Sequence, residues 1–366
     1  MPFNKIVRML TLALAICLML TGTYASAVTG IELPEIGAST GNILSPEFER
    51  RLGQAFLNQI RRQTDIIDDP EIENYIESIG YRLVAQSDNS SQLFTFFVIN
   101  DPTINAFAAP GGIVGINAGI ILNSESESEL AGVMAHEIAH VTQKHMARSV
   151  EMQQKMSIPM MAAMLGAILI ATQNPDAGSA AMMAIQGGAM QAQINFTRSN
   201  EEEADRIGMQ LLQRADFNPQ GMVSFFEKLH RNSRYTAQAP EFLRTHPLTV
   251  NRIADVQARA GNLPGNTSYS ESKTFQFIRT KLLVRSHRSP EEAASHFNNL
   301  IAQGEYRDDI DVLRYGLALA HMRGRNYQEA RALLDDLLDQ DNENISILLA
   351  RADLETRQGN YREAGR

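Results

Sequence analysis

The chain has 366 residues, an ordinary globular composition and a formal net charge of −9 at pH 7. This length exceeds the usual size of a single domain, so at least two domains with ample cores are expected. The acidic balance argues against a nucleic-acid partner, because such proteins concentrate positive charge on their binding surface.

The N-terminus has the pattern of a secretory signal peptide. Lys5 and Arg8 form a basic region, an apolar stretch follows at residues 9–20, and small residues at 25–27 form a cleavage site. A signal peptide is therefore predicted for residues 1–27, and its removal leaves a chain without cysteine. An uncleaved anchor is the alternative, although the apolar stretch is shorter than the roughly 20 residues of a spanning helix.

Helices and a small sheet are predicted in the first third of the chain. Residues 45–62 and 69–86 carry apolar side chains at helical spacing. Residues 93–99 and 106–122 are rich in β-branched and aromatic residues, which indicates short strands. Overlapping Ser-x-x-Glu capping boxes at 124–129 then start a long helix. Its apolar face, which should lie against the core, consists of Leu130, Val133, Met134, Ile138 and Val141.

This helix contains a metal-binding pattern, His136-Glu137-x-x-His140. Residues four apart share one helical face, so both imidazoles can bind one ion, while Glu137 can reach a water bound to it. A surface helix that carries two histidines is the alternative. A catalytic zinc site commonly has three protein ligands and one water, so a third ligand is needed.

A downstream helix offers the missing ligand. The metzincin pattern would require glycine and histidine where the chain has Gln143 and Met146. Instead, a helix that opens near residue 200 brings Glu201 and Asp205 to one face. One carboxylate can then bind zinc while the other hydrogen-bonds the free nitrogen of a zinc histidine. An acidic, solvated helix start without a metal is the alternative.

Two apolar, methionine-containing runs separate these helices, at residues 158–171 and 180–190. Each run is shorter than a bilayer span, which favours a buried, re-entrant or membrane-touching segment. A lid over the site is a further interpretation, because methionine adapts to varied apolar partners. Plain core helices are the alternative.

The C-terminal third is predicted to be a separate, repetitive helical region. Residues 260–268 form a compositional break, so a peptidase domain is predicted at 28–262 and repeats at 270–366. Tyr327 recurs as Tyr361 at an offset of 34, which is the tetratricopeptide period. The chain stops inside a repeat, and because a solenoid needs a polar closing helix, the natural protein is expected to continue.

These motifs resemble those of the gluzincin metallopeptidases of the HtpX and CAAX-prenyl-endopeptidase type, and most closely the periplasmic branch that carries tetratricopeptide repeats. In that family's Glu-x-x-Ala-Asp pattern the first glutamate is the ligand, which implies Glu201 rather than Glu202 or Glu203. HtpX-type members have genuine transmembrane helices. The run at 158–171 is short and contains Pro159, so the soluble branch fits better. The remaining matched motif is Thr245-His246-Pro247 together with Arg252.

The resemblance also implies roles for a hairpin and for His246. Asn105, Phe107, Gly111 and Gly112 resemble the family's strand beside the active-site helix, where an extended peptide pairs with an exposed edge. A glycine-rich hairpin without that role is the alternative. The family places its His-Pro motif at the active site. His246 is therefore expected to occupy the fourth zinc position as a latch, to donate a hydrogen bond to the developing oxyanion, or to do both.

The predicted fold is mainly α with a small β-sheet, in which a zincin-type metallopeptidase domain precedes an α-helical tetratricopeptide solenoid. The predicted function is a periplasmic zinc endopeptidase with one Zn²⁺ per chain and peripheral membrane contact. By resemblance, its substrates are unfolded or misassembled outer-membrane proteins, and its repeats dock the β-barrel assembly machinery. Two alternatives stay open: a periplasmic chaperone or scaffold with little proteolysis, and a membrane-embedded protease.

Overall fold

The computed structural model describes residues 45–89, 92–234, 240–262, 272–304 and 309–365. The predicted signal peptide lies outside these residues. Fifteen α-helices and three strands are described, in the chain order α1 Pro46–Gln63, α2 Pro70–Val84, β1 Thr95–Ile99, β2 Ala106–Ala109, β3 Ile113–Asn117, α3 Ala118–Asn123, α4 Glu127–Thr142, α5 His145–Gln173, α6 Pro175–Arg214, α7 Gln220–Ser233, α8 Glu241–Thr245, α9 Val250–Asn262, α10 Lys273–Ser286, α11 Pro290–Gln303, α12 Ile310–Arg323, α13 Tyr327–Gln340, α14 Ile345–Arg357 and α15 Tyr361–Ala364. The fold is thus mainly helical with a small sheet, as the sequence predicts.

The sheet has the order β1-β3-β2, with β1 parallel and β2 antiparallel to β3. Strand β2 therefore lies at an edge, and the tight turn into β3 uses Gly111 and Gly112 at φ of 79° and 80°, where a side chain would be strained. The predicted strand at 106–122 is wrong beyond Asn117, because residues 118–123 form α3. A side chain at Gly119 would collide with the carbonyl oxygens of Pro102 and Thr103, so only glycine lets this helix start against that loop.

Helix α4 is the centre of the largest described hydrophobic cluster and is buried from Glu127 to Ala139. The side chain of Ser126 accepts a hydrogen bond from the Glu129 backbone N–H at 3.1 Å, which is half of the predicted capping box. The Glu129 carboxylate accepts from the Glu125 N–H at 2.8 Å. Helix α6 approaches α4 closely at Gly208, where an added Cβ would lie 3.2 Å from the His136 nitrogen.

Helices α5 and α6 form a hairpin, of which we call residues 156–197 the arm. The plain core-helix interpretation of the apolar runs is wrong, because Ile158, Leu165 and Met190 are 73%, 64% and 68% exposed. Helix α5 also extends beyond the apolar run. Its 29 residues include a window of mean hydropathy 1.6, so by length and composition it could cross a membrane.

Each C-terminal helix from α11 to α14 packs on the helix that follows it. Helices α13 and α15 begin at Tyr327 and Tyr361, the two residues that define the 34-residue repeat. The hydrophobic core does not stop at the predicted domain boundary, because α10 contributes Phe275, Ile278 and Leu282 to the main cluster around α4. The assignment of these helices as tetratricopeptide repeats and the boundary itself stay predictions.

Candidate metal centre

Three side chains from two helices converge at the middle of the fold. The Nε2 atoms of His136 and His140, one turn apart on α4, lie 3.0 Å from each other. The Glu201 carboxylate comes from α6, and its two oxygens lie 3.4 Å from these two Nε2 atoms. The i, i+4 spacing on one helix and the close packing of α6 on α4 together produce this geometry.

His246 adds a fourth potential ligand. Its Nδ1 atom lies 3.1 Å from a Glu201 oxygen and 3.2 Å from the His136 Nε2. The four ligand atoms of His136, His140, Glu201 and His246 all lie within 4.8 Å of one another. The ring is fixed by stacking on Phe242, with ring centroids 4.8 Å apart, and by a hydrogen bond from its own backbone N–H to the Phe242 carbonyl oxygen.

Glu137 lies beside this cluster, and its carboxylate is not satisfied by hydrogen bonds within the described part of the chain. It is fully buried, and neither of its oxygens has a hydrogen-bond partner among the described residues. Its Oε1 lies 3.5 Å from the Nε2 of His246. A buried carboxylate left in this way costs free energy. The donor set therefore fits a zinc ion that carries a water molecule, because such a water would give Glu137 a hydrogen-bond donor.

Asp205 and Arg252 support the cluster from behind. An Asp205 oxygen lies 3.0 Å from the Nδ1 of His136. The Arg252 guanidinium donates to both Asp205 oxygens at 2.7 Å, contacts Glu201 at 2.9 Å and donates to the Pro247 carbonyl at 2.8 Å. Arg252 is 2% exposed. Such a paired arginine holds buried carboxylates in their charged form.

The pKa values of the cluster follow from burial and from these partners. Burial lowers the pKa of His136, but Asp205 and Glu201 outweigh it and raise the pKa to about 10. Burial raises the pKa of Glu201, but His136 and His246 hold it far below its ordinary value. The pKa of His140 is lowered by burial and by the charge of His136. In the metal-free protein the pKa of His136 is therefore raised, whereas the pKa of His140 is lowered.

The hairpin residues predicted to bind substrate divide into two groups. Phe107 and Gly111 line a cleft of about 390 Å³ that also contains Glu137, His140, Glu201 and His246 at its wall. Asn105 and Gly112 are not among its lining residues. A Cβ at Gly112 would lie 2.0 Å from the Leu93 carbonyl oxygen, so this glycine serves the turn.

His145 and Glu203 were missed as site residues by the sequence reasoning. His145 Nδ1 lies 2.9 Å from His140 Nδ1, and its Nε2 lies 3.2 Å from a Glu203 oxygen. In the sequence His145 lies one residue before Met146, the position at which the metzincin pattern has its histidine. Its position five residues after His140, at the start of the next helix, is the sequence feature that could have indicated a contact with His140.

Comparisons with known proteins match this chain to a family and to individual relatives. The model of Peptidase family M48 matches residues 70–260. The Beta-barrel assembly-enhancing protease of Escherichia coli (strain K12) is 39% identical over 332 residues, which cover 91% of this chain and 68% of that protein. The protein of the same name from Yersinia pestis is 38% identical over 89% of this chain and 67% of its own length. The Mitochondrial metalloendopeptidase OMA1 of Schizosaccharomyces pombe is 28% identical over 59% of this chain and 62% of its own length.

Proposed function

Because this chain belongs to Peptidase family M48 and is a zinc metallopeptidase, we propose that it cleaves misassembled outer-membrane proteins in the periplasm. The observation that carries the enzymatic role is the orphaned carboxylate of Glu137 beside a cluster of four potential ligands. A purely structural zinc site does not require a carboxylate at that position. This feature favours catalysis over a chaperone that uses only its repeats.

We assign the metal ligands as His136, His140 and Glu201. Zinc bound there would polarise a peptide carbonyl and lower the pKa of its water towards about 7. Glu137 accepts the proton of the attacking water and delivers it to the leaving amine. Asp205 holds the Nδ1 of His136, so that the Nε2 of that ring faces the metal position.

His246 has a double role in this proposal. Its Nδ1 lies among the ligand atoms, a position that suits a latch over the fourth coordination site when substrate is absent. When the latch moves aside, the imidazole can donate a hydrogen bond to the oxyanion. Phe242, on which the His246 ring stacks, donates its backbone N–H to the Ile104 carbonyl just before β2. The latch is thereby connected to the substrate strand.

The substrate pairs with the free edge of β2 in this proposal. Phe107 and Gly111 face the cleft from this hairpin, and within the described part of the chain the outer edge of β2 carries no other strand. Main-chain pairing supplies affinity with loose sequence preference, which suits an enzyme that removes many different misfolded chains.

The proposed substrates, docking partner and location rest on the name of two relatives, on the C-terminal repeats and on the predicted signal peptide. Two relatives bear the name Beta-barrel assembly-enhancing protease, which supports outer-membrane proteins as substrates. The C-terminal helices with their 34-residue period would dock the β-barrel assembly machinery. The predicted signal peptide supports a periplasmic location.

The arm supplies the peripheral membrane contact. Between Lys155 and Arg198 the sequence has one charged residue, Asp176, which lies in the first turn of α6. Exposed apolar side chains cover the arm on several sides, whereas a helix that docks on a protein groove keeps one polar face. Flotation with phosphatidylethanolamine–phosphatidylglycerol vesicles should carry the chain upward, and Leu165→Glu with Met190→Glu should abolish this. If the chain stays aggregated without detergent, the membrane-embedded alternative is favoured.

The proposed activity is tested by casein cleavage and metal analysis on the wild type and on Glu137→Gln. The wild type should contain close to one zinc ion per chain and lose cleavage when a chelator removes it. Glu137→Gln should keep its zinc and lose proteolysis, because the ligands survive while the general base does not. Normal cleavage by this variant would refute the mechanism. A zinc-loaded wild type that never cleaves unfolded proteins would favour the chaperone alternative.

A further inference from the structure

His145, Glu203 and Arg148 form a hydrogen-bonded path that starts at the candidate ligand His140. His145 begins α5 and is 5% exposed. Its ring lies between His140 on α4, at 2.9 Å, and Glu203 on α6, at 3.2 Å. Arg148 donates to the same Glu203 oxygen at 2.6 Å. Three different helices are therefore joined at the base of the arm by one hydrogen-bonded path.

The geometry allows one arrangement of protons when His140 binds a metal. Its Nε2 faces the other ligand atoms, so the lone pair must be on Nε2 and the proton on Nδ1. The Nδ1–H then donates to His145 Nδ1, which must be an acceptor. The proton of His145 is consequently on Nε2, from which it donates to Glu203. Each atom in the path has one role, and the roles agree.

A comparison with the second histidine ligand shows why this path matters. His136 has a carboxylate, Asp205, directly behind its Nδ1, and Arg252 fixes that carboxylate. Among the described residues, it is the His145 ring and not a carboxylate that contacts the Nδ1 of His140. His145 extends the path by one imidazole to the Glu203 carboxylate, one oxygen of which accepts a hydrogen bond from Arg148. Partners behind a metal histidine set its tautomer and orientation, and their loss costs roughly 10- to 100-fold in metal affinity.

We propose that His145 and Glu203 are positioning residues that hold His140 in the tautomer and orientation required to bind zinc. The proposal rests on the proposed assignment of His140 as a ligand. His145 is not itself a member of the ligand cluster, because its Nδ1 is engaged by His140 and the four clustered residues do not include it. Glu203 is likewise a support for the path and not the zinc ligand, which agrees with the assignment of Glu201.

Two substitutions of His145 separate a positioning role from a role in packing. Asparagine places its amide oxygen close to the position of an imidazole Nδ1, whereas glutamine reaches the position of Nε2. His145→Asn should therefore keep the acceptor for His140 and stay within about threefold of the wild type in zinc affinity. His145→Gln should weaken zinc binding by roughly 10- to 100-fold. Glu203→Gln, at a position whose side chain is 26% exposed, should also weaken zinc binding.

The measurement is the zinc dissociation constant of the full chain by competition with a chromogenic chelator. The thermal midpoint of the zinc-free protein serves as the control for folding. Equal losses of zinc affinity in both His145 variants, or wild-type affinity in His145→Gln and Glu203→Gln, would overturn the proposal. A wild type that binds no zinc at all would instead refute the proposed function. The two failures are therefore distinguishable.

Discussion

Replacement of Arg252 by leucine should destabilise the protein far more than the loss of a surface ion pair. The guanidinium side chain is 1% exposed and contacts Asp205 and Glu201, which are 1% and 5% exposed. Leucine would fill much of the volume but leave both carboxylates buried without the guanidinium. Removal of one partner of a buried pair costs about 3–5 kcal/mol, because the remaining charge is uncompensated.

This loss converts into a measurable change in thermal midpoint. At roughly 2.1 cal/mol/K per residue, a unit the size of Ile43–Arg366 has an unfolding entropy of about 0.7 kcal/mol/K, so 4 kcal/mol lowers the midpoint by about 6 °C. Arg259→Leu is the matched control, since Arg259 lies on the same helix and pairs with Asp255 at the surface, with both side chains 42% exposed. Its cost should stay below about 1 kcal/mol. Calorimetry of the chelated and zinc-loaded proteins gives both values, and equal midpoints for the two variants would refute the reasoning.

The difference in stability between the wild type and Arg252→Leu should depend on pH in one direction. Burial raises the pKa of Asp205, but His136 and Arg252 outweigh it and keep the pKa below its ordinary value. A carboxyl with a lowered pKa in the folded state stabilises the fold above its unfolded pKa, near 3.9, and this stabilisation is lost as pH falls through the folded value. Without Arg252 the pKa of Asp205 rises. The stability gap between wild type and Arg252→Leu should therefore be widest near neutral pH and narrow on acidification.

Three further predictions follow from the same contacts. If the latch role of His246 dominates, His246→Ala should raise basal casein cleavage and speed zinc loss to a chelator. If the oxyanion role dominates, the same change should lower kcat on the order of a hundredfold. Unchanged cleavage and zinc loss would remove His246 from the site. Chelation should lower the thermal midpoint, by an amount that grows with free zinc before chelation, whereas a metal-independent midpoint would contradict a buried site. A chain that ends at Gly265 should be less stable than one that ends at Arg288, because it loses the buried α10 residues Phe275, Ile278 and Leu282, each worth roughly 2 kcal/mol. Equal midpoints for the two truncated chains would show that α10 is not part of the peptidase core.

The parts of the site that the sequence predicts are those set by local helical spacing. His136 and His140, and likewise Glu201 and Asp205, are four residues apart, so the helix alone determines that each pair shares a face. Tertiary packing, and not helical spacing, determines which of these helix faces contact each other. The contact between His145 and Glu203 spans 58 residues of sequence and that between His136 and His246 spans 110. No periodicity connects such residues.

Tertiary packing also determines that the arm is exposed and that α10 belongs to the core around α4. Apolar runs at 158–171 and 180–190 were compatible with core helices, and the runs alone do not say whether other helices cover them. In the structure α5 packs on α4 and α6, and its apolar window is 6% buried. The break near residue 265 is a genuine change of composition, yet Ile278 beyond it lies in the core around α4. The change of composition therefore does not coincide with an end of this hydrophobic cluster, and the domain boundary stays a prediction.

The charges at the metal centre explain why Arg252, 47 residues beyond Asp205, is part of the metal site. The carboxylates of Glu137, Glu201 and Asp205 bring three negative charges into one buried region, and Arg252 returns one positive charge. A bound Zn²⁺ supplies the other two, so the buried charges then balance. In the zinc-free protein His136, whose pKa is raised to about 10, holds a proton that offsets part of the deficit. Zinc must displace this proton before the His136 nitrogen can bind it, so zinc affinity should increase with pH until His136 is neutral without the metal.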